Sequence, residues 1–357
     1  MTLYHSLLPP LALATLAGAH ALDGLWPLAG LVLRGVMLML AVLSAVHHAE
    51  VVAHRTGEPL GTLILALAVT VIEVALILSF MLMGHSGNAT LARDTLFSAI
   101  MIIANGVVGL CLLVGGWRHR EQVFRVQGTG PALAALLALS TLSLVLPTFT
   151  TSSPEGTYTA SQLVFVALTS LALWCAFTFF QTIRHRDYFL PEDATANTQT
   201  HAEPPSWLGA GLSLLALLVC LVAVVGLAKQ LSPTIESAIG QWGAPQTLVG
   251  IIIALLVLMP ETLAALRAAR ANRLQTSLNL ALGSALASIG LTIPAVAIAA
   301  VWFGFPLTLG LDNKDLVLLV LTFMVGSITL AHGRTSMMQG AVHLVIFAAF
   351  LFLALVP

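Results

Sequence analysis

Two apolar segments that each end in a glutamate decide the fold: Leu65-Ala66-Leu67-Ala68-Val69-Thr70-Val71-Ile72-Glu73 and Ile253-Ala254-Leu255-Leu256-Val257-Leu258-Met259-Pro260-Glu261. Aligned on their glutamates, the two segments share Ala, Leu, Val and Glu at equivalent positions. A charged side chain near a bilayer centre costs about 2.5–3.5 kcal/mol, so a membrane protein rarely carries one without a function or a partner. The matched pair therefore indicates an internal repeat with a functional carboxylate in each copy.

The composition is that of a polytopic membrane protein. Of the 357 residues, 58% are hydrophobic and 8% are charged, whereas soluble domains are about 25% charged. The few basic residues lie between apolar segments and form no patch, so no nucleic-acid partner is expected. Cys111, Cys175 and Cys220 lie in separate apolar segments without metal-ligand spacing and are interpreted as small buried side chains.

Eleven segments are long and apolar enough to be transmembrane helices, which need about 20 residues each. The predicted spans are 3–22, 27–49, 60–84, 95–117, 131–148, 160–183, 207–229, 246–267, 275–302, 315–331 and 338–356. The first segment could instead be a signal peptide that ends at Ala19-His20-Ala21. It has no Lys or Arg before its apolar run, and Pro9-Pro10 interrupts that run, which favours an atypical transmembrane helix.

Basic residues are concentrated in alternate loops, and this bias predicts the orientation. With the N-terminus in the cytoplasm, ten arginines fall in cytoplasmic loops: Arg55, Arg118, Arg120, Arg125, Arg184, Arg186, Arg267, Arg270, Arg273 and Arg334. The opposite side receives Arg93, Lys229 and Lys314. The sequence thus predicts a multi-pass protein of a bacterial inner membrane with a cytoplasmic N-terminus and a periplasmic C-terminus.

A long polar stretch divides the apolar segments into two groups of five. The predicted organisation is an N-terminal transmembrane helix (1–24), a first five-helix repeat (25–183), a cytoplasmic linker (184–206) and a second five-helix repeat (207–357). Because five is an odd number, the two repeats enter the membrane in opposite directions. The predicted fold class is therefore an all-α polytopic membrane protein with inverted repeats, as in secondary transporters whose ion sites lie near the bilayer midplane.

The two glutamates are predicted to bind a transported cation and protons. Polar side chains that share a helix face with them, or follow in the next helix of each repeat, would add oxygen ligands: Thr70, Asn105, Ser284 and Ser288. Oxygen ligands suit hard cations such as calcium, which takes six to eight of them. The absence of Cys and His from these segments argues against zinc. Pro260 has no N–H, so the Leu256 carbonyl is released from its helical partner and becomes a further candidate ligand.

Burial favours the protonated form of a carboxylate, so an empty site would take up protons that an arriving cation must displace. Alternating exposure of this shared site would exchange cation for protons. The alternative interpretation is that each glutamate, and the Asn and Ser residues to a greater degree, serves helix packing through interhelical hydrogen bonds. No resident cofactor or catalytic residue is expected; the partners are calcium, protons and the lipid bilayer.

A second group of titratable residues lies near the cytoplasmic end of the second helix. The group comprises His47, His48, Glu50, His54 and Glu58. Histidine titrates near neutral pH, so a pH sensor or a cation entrance is one hypothesis. Solvated interfacial side chains without such a role are the alternative.

At these residues the sequence resembles the calcium/cation antiporter superfamily, and within it the bacterial ChaA-type calcium/proton (sodium-potassium/proton) antiporters. The resemblance depends on Gly57-Glu58-Pro59-Leu60-Gly61-Thr62, Ala68-Val69-Thr70-Val71-Ile72-Glu73-Val74, Ala104-Asn105-Gly106, Pro260-Glu261 and Gly283-Ser284-Ala285-Leu286-Ala287-Ser288-Ile289-Gly290. It implies the α-repeat cation exchanger fold, a cytoplasmic linker between the halves, and repeat glutamates that bind cation and protons.

The sequence also departs from the superfamily. The Gly-Asn-Ala-x-x-Glu form of vacuolar-type exchangers is missing from both repeats, and Ala287 or Ser288 stands where some members have an acidic or amide group. Because fewer charged ligands are present, a sodium or potassium/proton antiporter is an alternative to a calcium/proton antiporter. A passive cation channel is a further alternative, and a membrane metalloenzyme is disfavoured because no HExxH or Gly-x-Ser-x-Gly pattern occurs.

Overall fold

The fold is described from a computed structural model. It describes residues 3–23, 27–57, 60–81, 88–154, 156–190, 205–241, 245 and 247–356. Eleven long helices contain most of these residues: α1 (Leu3–Asp23), α2 (Pro27–Thr56), α3 (Leu60–Met81), α4 (Leu91–His119), α5 (Val126–Phe149), α6 (Ala160–Arg184), α7 (Trp207–Gln241), α8 (Thr247–Arg270), α9 (Leu274–Phe303), α10 (Asn313–Leu330) and α11 (Met337–Leu355). Two three-residue strands, β1 (Glu121–Val123) and β2 (Arg334–Ser336), pair antiparallel.

The predicted fold class is confirmed. Ten helices in the described part of the chain are long and apolar enough to cross a membrane, and α1 has a shorter apolar part, Leu7–Gly18. The predicted ends of two helices were wrong, because α2 continues to Thr56 and α7 to Gln241. Apolar composition marks where a helix leaves the hydrocarbon, whereas backbone geometry decides where it ends. Helix α2 is terminated by the next residue, Gly57, which has φ +69° and donates its N–H to the Ala53 carbonyl over 3.0 Å.

One of the two compact units of the chain comprises Met1–Asn88 and His201–Val249. Within this first unit, α2 packs against α1, α3 and α7. A polar chain connects three of these helices, since Arg34 Nε donates to Gln230 Oε1 over 3.1 Å and Gln230 Nε2 donates to the Leu16 carbonyl over 3.0 Å. Arg34 is thus a buried arginine with a hydrogen-bond partner across the helix interface, as a charge inside a membrane protein requires.

The second unit comprises Ala89–Thr200 and Gly250–Pro357. Its main packing pairs are α4 with α11 and α9 with α6. In terms of the five-helix repeats, the third helix of each repeat packs against the fifth helix of the other. The segments next to these helices are paired in the same way. Strand β1, after α4, pairs with β2, before α11, and an isolated bridge joins Thr308, after α9, to Thr157, before α6.

A short motif that the sequence analysis missed marks both of these equivalent places. The pattern Gly-x-x-Ser/Thr-x-x-Gln occurs as Gly156, Thr159 and Gln162, and again as Gly333, Ser336 and Gln339. Both glycines have positive φ, +73° and +68°. Each glutamine Oε1 accepts the backbone N–H of its Ser or Thr, over 2.9 Å at Thr159 and 2.6 Å at Ser336, which forms a capping box at the start of α6 and α11.

The α4–α11 interface is close because small residues face each other there. An added Cβ at Gly340 would lie 2.5 Å from the Leu113 nitrogen and 2.8 Å from the Gly109 carbonyl oxygen. Small residues allow this approach of helix backbones in membranes, where van der Waals packing and hydrogen bonds hold helices together. Farther along the interface, the rings of Phe97 and Phe350 pack edge to face with centroids 5.6 Å apart.

Candidate cation site

Glu73 belongs to the first unit and lies on α3. Its side chain is 3% exposed, and Thr70, one turn earlier, is also buried. Thirteen residues separate Leu60, the first residue of α3, from Glu73, which places the carboxylate about 20 Å along the helix axis. The structure thus puts a carboxylate and a hydroxyl on one face of a membrane-spanning helix, in the interior.

Glu261 belongs to the second unit and lies on α8. Its side chain is half-buried, and Pro260 lies inside the same continuous helix. The neighbouring Thr262 hydroxyl donates to the Leu258 carbonyl over 2.7 Å, a bond within the helix itself. Glu261 follows the first residue of α8, Thr247, by fourteen residues, so the two glutamates occupy nearly the same position in the second helix of each repeat. Their binding of cation and protons remains a prediction.

The serine candidates lie on α9, the helix that follows Glu261 in the chain. Ser288 is buried and Ser284 is half-buried, one turn apart on the same helix. Their predicted role as ligands rests on that shared face and stays a prediction.

Asn105 lies in the core of the second unit, where its side chain joins three helices. On α4, Asn105 Nδ2 donates to the Thr322 hydroxyl of α10 over 2.8 Å, and Asn105 Oδ1 lies 3.0 Å from His343 Nδ1 of α11. The other ring nitrogen, Nε2, lies 3.1 Å from the Thr329 hydroxyl of α10. All four side chains are buried. We call Asn105, Thr322, Thr329 and His343 the Asn105 network.

One arrangement of protons, with a neutral imidazole, satisfies the donors and acceptors of this network. The Thr322 hydroxyl donates to the Leu318 carbonyl over 2.7 Å, so it accepts from the amide of Asn105. Asn105 Oδ1 then faces His343, whose Nδ1–H must donate to it. In the neutral imidazole, Nε2 accepts the Thr329 hydroxyl proton. The network is complete with a neutral His343 that carries its proton on Nδ1.

The network agrees with the interpretation of Asn105 as a residue that joins helices by hydrogen bonds. The role of Asn105 as a cation ligand stays a prediction. Asn105 also lies in a π-helical stretch of α4, Ile102–Val107, a feature often found at functional sites. Sequence reasoning missed His343. The available signal was a single histidine inside the apolar run of α11, where ionisable residues are rare.

The predicted entrance residues lie on the extended C-terminal part of α2. His48 is buried, His47 is half-buried with its ring 5.6 Å from that of His48, and Glu50 and His54 are exposed. Glu58 lies outside the described residues. The structure therefore places these side chains in different environments, and pH sensing or ion entry by them remains a hypothesis.

A second polar cluster, also missed from sequence, lies where α4 begins. Arg93 Nε donates to Asp94 Oδ1 over 2.8 Å, and Arg93 Nη1 donates to the Gly310 carbonyl over 3.0 Å. The same nitrogen is 3.4 Å from an oxygen of the largely exposed Asp312, and the Thr90 hydroxyl donates to the second oxygen of Asp94 over 3.1 Å. Arg93 thereby attaches the loop before α10 to the start of α4.

The two five-helix repeats have the architecture of the cation exchanger fold, and comparison with known proteins gives the family. The sodium/calcium exchanger protein family matches residues 26–183 and 212–356, so the chain belongs to it. Its protein class is a multi-pass membrane transporter that exchanges cations against protons or other cations.

Individual relatives cover nearly the whole chain. It is 51% identical over 333 residues to y4hA of Sinorhizobium fredii, named as an ionic transporter, with 91% of this chain and 90% of the relative covered. It is 37% identical over 316 residues to the sodium-potassium/proton antiporter ChaA of Escherichia coli, with 88% and 85% covered. The solved structure of native YfkE superposes with a TM-score of 0.74 at 17% identity over 98% of this chain and 100% of that one, which shows a shared fold.

Proposed function

We propose that the chain is a secondary calcium/proton antiporter in which Glu73 and Glu261 bind the cation and the protons in turn. The observation that carries the proposal is the equivalent position of the two glutamates, each about two-thirds of the way along the second helix of its repeat. Two carboxylates neutralise one divalent cation, and their oxygens suit calcium. The same two carboxylates can accept two protons when the cation leaves.

The exchange follows from competition for one set of carboxylates. A cation can bind only after the protons have left, and protons return only after the cation has left. Inverted repeats allow such a site to face either side of the membrane in turn, because the two halves of the protein exchange conformations. The net reaction is export of one cation and uptake of protons.

We further propose that the chain resides in a bacterial inner membrane with its N-terminus in the cytoplasm. The distribution of Lys and Arg supports this orientation, since ten arginines fall on one side of the eleven helices and three basic residues on the other. Cation export driven by the proton gradient is the direction that this location favours.

Sodium or potassium is the second candidate for the transported cation. The observation that favours it is the similarity to the Escherichia coli sodium-potassium/proton antiporter, at 37% identity. A monovalent cation needs one carboxylate rather than two. The two candidates therefore differ in the number of charges that the site must balance.

Proton movement in proteoliposomes distinguishes these functions. Vesicles with an imposed pH gradient and an internal pH dye receive calcium, sodium or potassium in turn. We expect calcium to dissipate the gradient, and Glu73→Gln and Glu261→Gln each to abolish this response. Glu121→Gln is the matched control, because Glu121 is an exposed glutamate of β1 outside the apolar helices; it should retain the response.

Three other outcomes have distinct meanings. If sodium or potassium dissipates the gradient and calcium does not, the cargo is monovalent. If the cations cross without proton movement, the chain is a passive channel and the exchange mechanism is wrong. If both glutamine variants fold normally and keep full transport, the assignment of the site to Glu73 and Glu261 is wrong.

A further inference from the structure

A groove of about 430 Å³ lies in the second unit where α4 and α8 end. Its lining residues are Leu113, Val114, Trp117, Arg118 and Arg270. The two helix ends are connected directly, because His119 Nε2 lies 3.1 Å from the Arg270 carbonyl oxygen and can donate to it. Both helices are membrane-spanning by length and composition, and both spans end at this place. The groove is therefore at a boundary between hydrocarbon and headgroups.

The α4 wall of the groove is apolar. Leu113 and Val114 are half-buried, and Trp117 follows them one turn later with 80% of its surface exposed. Tryptophan is enriched at membrane interfaces, where its ring lies at the level of the lipid headgroups. The aliphatic side chains of this wall match the acyl chain of a lipid, and the exposed indole matches the more polar glycerol region where that chain begins.

The end of the groove carries two positive charges. Arg118 and Arg270 are both exposed, and in the described part of the chain no hydrogen bond or ion pair engages either guanidinium group. Guanidinium groups present N–H donors in a fixed plane that matches the oxygens of a phosphate. Basic pockets between transmembrane helices, on the side where basic residues are concentrated, are a recognised setting for anionic headgroups.

We propose that this groove binds an anionic phospholipid. The phosphodiester and anionic headgroup contact Arg118 and Arg270, and one acyl chain lies along Leu113, Val114 and Trp117. The combination selects a lipid over a free phosphate ion, since the groove offers an apolar wall next to its charges. It selects an anionic lipid over a zwitterionic one, since two guanidinium groups meet one headgroup and no acidic side chain of the described residues lines the groove. The proposal is independent of the transported cation.

Lipid binding to the purified full chain tests the proposal. The protein in neutral detergent is titrated with phosphatidylglycerol or phosphatidylcholine, and bound lipid is measured by native mass spectrometry together with the melting temperature. We expect phosphatidylglycerol to bind and to raise the melting temperature. The double variant Arg118→Gln/Arg270→Gln should bind it roughly 30-fold more weakly, given the usual contribution of two basic residues at a membrane surface.

A second pair of arginines provides the matched control. Arg184 and Arg186 are exposed and belong to the same set of basic loops, but they do not line the groove. Arg184→Gln/Arg186→Gln should keep the affinity for phosphatidylglycerol. Trp117→Ala, which removes the indole from the apolar wall and no charge, should weaken the binding of phosphatidylglycerol. The melting temperature of each variant without added lipid shows that it is folded.

Three results would overturn the proposal. Equal loss of binding in the two arginine pairs would mean a diffuse surface charge. An equal stabilisation by inorganic phosphate would mean that the site takes a free anion. A dimer in native mass spectra that Trp117→Ala dissociates would mean that a second copy of the chain covers the groove.

Discussion

The imidazole of His343 and the side-chain amide of Asn105 form a hydrogen bond with 3.0 Å between Nδ1 and Oδ1, although their residues lie 238 positions apart in the chain. Both side chains are fully buried, with exposures of 1% and 0%. The bond connects the third helix of the first repeat to the fifth helix of the second. A contact between repeats thus depends on one buried histidine and one buried amide.

Removal of His343 should destabilise the second unit. His343→Leu leaves Asn105 Oδ1 and the Thr329 hydroxyl without a partner, and each unsatisfied buried polar group costs about 1–3 kcal/mol. Urea titration in mixed micelles, followed by tryptophan fluorescence, measures the change in the free energy of unfolding. Asn105→Leu/His343→Leu should cost less than the sum of the single variants, because the two residues share one network. Additive losses would contradict the hydrogen bond.

Neutralising one partner of the buried Arg93–Asp94 ion pair should strongly lower the free energy of unfolding. Asp94→Asn removes the acidic partner of a buried guanidinium, and the breaking of a buried pair costs about 3–5 kcal/mol. Arg93→Met/Asp94→Leu should be less harmful than Asp94→Asn alone, since it leaves no buried charge. The control is Asp312→Asn, whose side chain is 62% exposed and whose pairing contributes about 0–1 kcal/mol. The same unfolding titration measures all three, and an Asp94→Asn protein as stable as the control would refute the prediction.

Gly340 tests the close contact of α4 and α11. Gly340→Ala should lower the free energy of unfolding by about 1–3 kcal/mol, because its Cβ would overlap backbone atoms that cannot move freely. Gly211, in α7, is the matched control: an added Cβ there meets no described heavy atom within 4 Å. Gly211→Ala should be neutral or stabilising by about 0.5–1 kcal/mol. Similar melting temperatures for the two variants would show that α4 and α11 leave room for a methyl group at Gly340.

Because of Tyr158, the stability of the folded chain should depend on pH in the alkaline range. This residue precedes α6, and its hydroxyl donates to the Leu142 carbonyl over 2.5 Å. Desolvation raises the pKa of Tyr158 from 10.0 to about 12. Because the folded state holds this proton more tightly than the unfolded state, the resulting stability is complete below pH 10 and is lost as the pH rises towards 12.

Ultraviolet titration of the phenolate measures this pKa. The chain has three tyrosines, so the Tyr158 phenolate is isolated as the difference between the wild type and Tyr158→Phe, and this difference should appear only near pH 12 in the folded protein. Tyr158→Phe should remove that component and no other. A Tyr158 difference signal with its midpoint near pH 10 would contradict the desolvation of Tyr158.

Much of the fold could be read from the pattern of residues. Long apolar runs can satisfy their backbone hydrogen bonds within a membrane only as helices, so the number and approximate positions of the helices followed from composition. The matched glutamates indicated the repeats. The helix ends were less predictable, because Gly57 and the residues after Lys229 obey local backbone geometry rather than hydropathy.

The sequence by itself therefore determined the class of protein, the inverted repeats and the paired intramembrane carboxylates, because each depends on periodicity, spacing or charge along the chain. Only the tertiary structure decided which polar side chains meet. Asn105 and His343, Arg93 and Gly310, and Arg118 and Arg270 are each more than 150 positions apart. Their proximity results from helix packing between the repeats, and a hydrogen bond or a shared groove depends on distances that no linear pattern records.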